Sequence, residues 1–192
     1  MLEEFLKAFF SIFVIMDVLG NVPLFWMLSQ KMQRSQKIHS VNRAVLVAGI
    51  LLLIFLVFGE SILKFFGITL NSFRIAGGLI ILIIALRMVS GKLGNEKHYD
   101  KYEFATVPLA TPLITGPGVI TTIILLTQQV GFLITLAASL CNLAITWLGL
   151  HYSENLYKIM GRQGAEVLSR VMGLILTAIA IEFIMTGWKA MI

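Results

Sequence analysis

The sequence predicts an all-α membrane protein: six transmembrane helices as two inverted three-helix repeats, with spans 1 and 4 broken near the midplane. Three observations predict it. Of 192 residues, 58% are hydrophobic and 13% charged, with mean hydropathy +0.90, more apolar surface than a soluble domain can hide. The apolar stretches have bilayer length, since a crossing helix needs ~20 mostly apolar residues. The two halves of the chain also resemble each other.

The spans run in order over 5–28, 41–63, 68–89, 104–127, 131–151 and 166–188. Strand-like alternation is absent, which argues against a β-barrel. Span 1 holds "DVLGNVPLF", with a carboxylate, a glycine, an amide and a proline among its apolar residues. Asp17 lies twelve residues past Phe5, ~18 Å into a hydrocarbon core ~30 Å thick. Pro23 lacks an N–H and its ring disfavours a helical carbonyl at Leu19; Gly20 permits angles closed to other residues. The expected arrangement is a first half-helix ending near Leu19, then an unwound piece, then a second half-helix with Asn21 as N-cap and Pro23 in its first turn. Span 4 repeats the device in "TPLITGPG": Thr111 and Pro112 weaken the helix, Thr115 and Gly116 open it, and Pro117 restarts it, followed by Gly118. Unwound backbone cannot face lipid, so both breaks must face protein or water.

An offset of 96 residues brings Gly20 onto Gly116, Arg74 onto Arg170, Gly77 onto Gly173 and Gly91 onto Gly187. It overlays "FRIAGGLIILIIALRMVSG" on "SRVMGLILTAIAIEFIMTG". The first repeat is 1–91, a polar linker is 92–103 and the second repeat is 104–192. Three spans per repeat force the second copy to enter from the opposite face, as in many secondary transporters; a channel or a scaffold can share this architecture.

Basic residues cluster in 29–43, 87–103 and 152–170, which hold eleven of the fifteen lysines and arginines. These segments alternate along the chain, so the positive-inside rule makes them cytoplasmic and puts both termini outside. The net charge of +5 is thereby explained without nucleic acid. The N-terminus reads as no cleavable signal, since it opens with Glu3 and Glu4 and carries Asp17 in its apolar run. Cys141, the single cysteine, excludes an internal disulfide and reads as a small helix-packing residue.

Opposed half-helices in spans 1 and 4 would aim two N-termini at the centre, each with roughly half a positive charge and free N–H groups. That suits a carboxylate, and Asp17 suits an ammonium or a proton. A zwitterion such as a small amino acid satisfies both. The alternative for Asp17 is a pair with Arg74 or Arg170. Thr106, Thr111, Thr115, Thr121 and Thr122 either line the pocket or bond their own helix carbonyls. Arg74 and Arg170 either cap cavity entrances or snorkel to headgroups. Glu182, deep in span 6, is expected to face the bundle interior or a cavity, as a proton site or as a partner for an arginine. Glu60 and Lys64 read as a surface pair, and Asn142 as a bond between helices. His39, His98 and His151 show no metal spacing. No catalytic triad, P-loop or GxGxxG is present. The chain is expected to be no enzyme and to hold no cofactor, and any transport must be passive or driven by an ion gradient.

The stretches "DVLGNVPLF", "FRIAGGLIILIIALRM" and "VPLATPLITGPGVITT" together resemble the MarC family, six-span proteins also described as neutral amino acid transporters. The resemblance covers almost the whole chain. It implies a prokaryotic inner-membrane protein that moves small neutral amino acids such as glycine and alanine, coupled to protons. The residues carried over by position are Asp17, Gly20, Asn21 and Pro23, then Pro112, Gly116, Pro117, Gly118, Thr121 and Thr122. Two positions depart from the family pattern: Val18 stands where a proline usually follows the aspartate, and Glu182 where the residue is usually uncharged. The rival readings are transport of a cation or another small metabolite, with Asp17 and Glu182 as ligands, and a non-transporting scaffold or channel. Homo-oligomerisation is left open by the sequence.

Overall fold

The computed structural model describes residues 1–30, 32–91 and 114–191; the linker 92–103 and the first part of span 4, with Thr106, Thr111 and Pro112, lie outside the described residues. Seven α-helices and no strand occur among the described residues. They are α1 (Leu2–Met16), α2 (Val18–Ser29), α3 (Arg34–Phe65), α4 (Leu70–Val89), α5 (Pro117–Val130), α6 (Phe132–His151) and α7 (Ser153–Lys189). Five stretches of them are long and apolar enough to cross a membrane: Leu2–Pro23, α3, α4, α6 and α7. The shorter apolar α5 covers the described part of the sixth span.

Local chemistry sets the helix ends. Gln33 and Gln36 form a capping box that starts α3, satisfying two N–H groups that helix geometry leaves without partners. Thr69 caps α4 by accepting the N–H of Ser72 at 3.0 Å. Gly131, at φ 90°, is the single residue between α5 and α6. Within α7 the chain breaks at Gly161 (φ 67°, ψ 177°), a conformation that favours glycine. The residues before it form a separate piece at the basic end, and those after it form the membrane-length helix.

The bundle has two ends. At one, Lys7 Nζ donates to Gln129 Oε1 at 3.4 Å, Gln128 Nε2 to Glu60 Oε2 at 3.5 Å and Asn71 Nδ2 to Ala190 O at 3.4 Å. Both chain ends lie there. At the other, Lys37 pairs with Glu154 at 3.8 Å and stands 4.5 Å over the Trp26 ring, which packs on Tyr157. Glu60 and Lys64 form the expected surface pair, at 2.6 Å.

Between helices in lipid there is little hydrophobic drive, so small residues that allow close approach set the contacts. The central element is the antiparallel pair α4 and α7. Gly78 lies against Ala180, where a Cβ would stand 2.8 Å from the Ala180 carbonyl oxygen. Gly173 lies against Ala85, where a Cβ would stand 3.0 Å from the Ala85 carbonyl oxygen. The two contacts are mirror copies at an offset of 95 residues. The buried Gly77, Gly78, Ile81 and Ala85 of α4 likewise match the buried Met172, Gly173, Leu176 and Ala180 of α7 at that offset. At the offset of 96 these buried faces do not coincide, and at 95 Arg74 and Arg170 do not align. Gly77 touches Pro117 of α5, with a would-be Cβ 3.3 Å from the Pro117 carbonyl.

Asn142 behaves as expected, donating from Nδ2 to Phe9 O at 3.1 Å across α6 and α1, and also to Ala138 O at 2.8 Å. Cys141 does not. It is exposed, because α6 packs through Thr135, Ala138, Ser139, Asn142 and Thr146 and position 141 falls off that stripe.

Candidate functional site: the break at Asp17 and the start of α5

Span 1 is interrupted by one residue. Asp17 has φ 47° and ψ 51°, the left-handed region that few residues other than glycine, asparagine and aspartate tolerate. Its N–H donates to Val14 O at 3.2 Å and closes α1. Its carbonyl accepts the N–H of Asn21 at 2.9 Å and opens α2. Its carboxylate Oδ1 accepts the N–H of Gly20 at 3.1 Å, so Asp17 is the N-cap of α2.

This corrects the expected site of the break. Leu19, Gly20 and Asn21 are not unwound, and Asn21 is not the N-cap; all three belong to α2. Asn21 acts backward, its Nδ2 donating to Met16 O at 2.8 Å and satisfying a carbonyl at the end of α1. Pro23 lies inside α2, past its first turn, where it leaves only the Leu19 carbonyl without a helical donor. An aspartate can reverse its own backbone and cap the next helix, so one residue does the work assigned to several. Gly20 serves by size rather than by angle: a Cβ there would collide with the Asp17 carboxylate.

Asp17 is 5% exposed and Asn21 1%. Asp17 pairs with neither Arg74 nor Arg170. Arg74 is half-buried on α4, one turn before Gly77 and Gly78, and Arg170 is exposed on α7.

The start of α5 lies beside this break. Gly116 is its N-cap and Pro117 its first residue, as the sequence predicts. Gly118 is wedged between α1 and α4, where a Cβ would stand 3.1 Å from Ile15 Cγ2 and would also strike Ile81. Ile15 is two residues before Asp17. Thr115, 1% exposed, donates from Oγ1 to Ala48 O of α3 at 3.0 Å. Thr121 and Thr122 donate to Pro117 O and Gly118 O of their own helix, both at 2.8 Å. From this level α2 runs toward the end that holds Lys37 and Tyr157, and α5 runs toward the end that holds Lys7 and Glu60. The N–H groups of Gly118 and Val119 fall in the first turn of α5, where helix geometry supplies no acceptor.

Gly77 and Ala48, which position Pro117 and Thr115, were not singled out from the sequence as neighbours of the site. The paired glycines of "FRIAGG" were the signal for the first; nothing marks a backbone carbonyl for the second.

Glu182 stands elsewhere. It is exposed on α7, its carboxylate accepting, among the described residues, the Thr186 hydroxyl at 3.0 Å one turn on. The expectation that it faces the interior is overturned by helix periodicity: Met172, Gly173, Leu176 and Ala180 fix the packed face, and position 182 lies about 200° around the helix from Ala180. No cluster of three or more potential metal-ligating side chains occurs among the described residues.

The description "MarC family integral membrane protein" matches residues 2–192. The chain belongs to the MarC family. A UPF0056 membrane protein of Methanocaldococcus jannaschii is 41% identical to this MarC member, over 97% of this chain and 96% of the relative. The UPF0056 membrane protein YhcE of Escherichia coli is 35% identical, over 96% and 92%. One from Pyrococcus horikoshii is 34% identical, over 98% and 96%. No solved structure matches the chain. It is thus a multi-pass integral membrane protein.

Proposed function

We propose that this MarC-family protein is a secondary transporter of small neutral amino acids, working by alternating access around Asp17 and the start of α5, without covalent chemistry or a cofactor. The observation that carries the reading is the buried carboxylate of Asp17 at the break in span 1, with the start of α5 packed against α1 two residues before it through Gly118 and Ile15. The N-terminus of α2 is already capped by Asp17; that of α5, which no side chain caps, attracts an anion and the carboxylate attracts a cation, so the site is suited to a zwitterion. The first-turn N–H groups of Gly118 and Val119, for which helix geometry supplies no acceptor, would take the substrate carboxylate. Asp17 would take the ammonium group or the coupling proton, with Thr115 and Asn21 shaping the walls.

Two inverted repeats are part of this proposal. The mirror contacts Gly78 to Ala180 and Gly173 to Ala85 support them, because a two-fold axis in the membrane plane between α4 and α7 relates one to the other. The excess of basic residues at the Lys37 end supports both termini lying outside a cytoplasmic membrane.

Counterflow of labelled glycine and alanine into proteoliposomes, with and without a pH gradient, tests the reading. Uptake should rise with unlabelled substrate inside and fall at least tenfold in Asp17→Asn. Silence toward every neutral amino acid would overturn the proposal.

A further inference from the structure

Glu182 is an ionisable side chain on an otherwise apolar stretch of the exposed face of α7. Around it on α7 the exposed residues are Leu174, Ile175, Ala178, Ile181 and Met185, all apolar. Its depth can be read from its neighbours. Phe183 packs on Gly78, where a Cβ would meet the Phe183 Cβ at 3.2 Å, and the adjacent Gly77 packs on Pro117. Glu182 is therefore level with the start of α5, on the far side of α7 from the site. Lys189, at the end of α7, is seven residues away, roughly 10 Å along the helix. The carboxyl group is too deep for its short side chain to reach the headgroups.

A carboxyl facing hydrocarbon at that depth is costly whether it is ionised or left with unsatisfied hydrogen-bonding atoms. The Thr186 hydroxyl satisfies one lone pair, and among the described residues the other oxygen, and any proton, has no partner. No described residue of the protomer supplies more, which points to a second copy as the partner. Every copy of this chain inserts the same way, so a second copy related by a two-fold axis normal to the membrane brings its own Glu182 to the same depth. Two carboxyl groups at one level can exchange hydrogen bonds when at least one is protonated, the way polar side chains join helices in lipid. Ala178, one turn before Glu182, keeps the helix surface low enough for close approach.

We propose that the lipid-facing side of α7 around Glu182 is a contact between two copies of this chain, with the two Glu182 side chains meeting at the two-fold axis and Ala178 and Met185 flanking them. The contact lies on the opposite side of α7 from the α4 packing face, so it leaves the Asp17 site of each protomer untouched.

Single-molecule photobleaching of labelled protein in liposomes at low protein-to-lipid ratio tests this. Wild type should bleach in two steps, and Glu182→Gln, whose amide still bonds across the axis, should do the same. Glu182→Leu, which only makes α7 more apolar, should shift at least tenfold toward single steps. In a Cys141→Ser background, Ala178→Cys and Met185→Cys should form disulfide-linked dimers under mild oxidation, and Leu79→Cys on the exposed side of α4 should not. Single-step bleaching of wild type, dimers undiminished in Glu182→Leu, or cross-links no more frequent at 178 and 185 than at 79 would each overturn the proposal.

Discussion

The carboxylate of Asp17 and the α-carbon of Gly20 occupy one space: the carboxylate accepts the Gly20 N–H at 3.1 Å and fills the volume a side chain at position 20 would need. The two residues should be energetically coupled. Gly20→Ala alone expels the carboxylate and removes the cap, at a cost of about 1–2 kcal/mol. With Asp17 already replaced by alanine the clash is gone, and Gly20→Ala should cost almost nothing, because alanine suits a helix better than glycine. Thermal melts of the two single variants and the double variant in detergent give the cycle. Additive effects would contradict the geometry.

Asp17 carries a structural duty and a proposed functional one, and two substitutions separate them. Asparagine tolerates the left-handed backbone and still accepts a hydrogen bond, so Asp17→Asn should stay within about 0.5 kcal/mol of wild type. Asp17→Ala loses the cap and strains the backbone, and should cost about 2 kcal/mol. If the carboxylate handles substrate or proton, both variants lose counterflow although only one loses stability. Equal transport by Asp17→Asn and wild type would leave Asp17 as a helix cap alone.

The sequence made the membrane class and the start of α5 legible, because apolar length, Gly and Pro are local signals. It placed Pro117 at the start of α5 and Asn142 between helices for the same reason. It misplaced the span 1 break by a few residues, since Gly and Pro advertise a kink more loudly than an aspartate that adopts a left-handed backbone. The overlay at 96 pairs the glycines at 77 and 173, whereas the buried faces of α4 and α7 coincide at 95, because Gly77 packs on Pro117. The outward position of Glu182 follows from 3.6-residue periodicity once the packed face is known. That face is drawn by small residues, and hydropathy does not separate them from the lipid-facing ones.

The α4 and α7 contact makes a prediction that compares glycines. Gly78→Ala and Gly173→Ala each push a methyl to 3.0 Å or less from a backbone carbonyl on the partner helix, and each should cost about 1–3 kcal/mol. Their losses should be similar, since the two contacts mirror each other. Gly49 faces only the flexible tip of Leu143 at 3.4 Å, so Gly49→Ala should be neutral or stabilise by up to about 1 kcal/mol. Melting temperatures of the three variants in one detergent check the order.

Threonines near the site divide by where their hydroxyls go. Thr121 and Thr122 donate to carbonyls one turn back in α5, bonds that satisfy the hydroxyl without joining helices. Thr115 donates across to Ala48 O of α3 and ties the chain just before α5 to its neighbour. Valine keeps the shape of threonine and removes the hydrogen bond. Thr115→Val should therefore cost about 1 kcal/mol, near the range measured for bonds between membrane helices, and Thr121→Val and Thr122→Val less than about 0.5 kcal/mol. Loosening this tie also frees the start of α5 relative to Asp17, so Thr115→Val should raise the substrate concentration needed for half-maximal counterflow. Melts and concentration-dependent counterflow on the three variants decide it: a Thr115→Val protein as stable and as tight as wild type would show that the bond to Ala48 does not position α5.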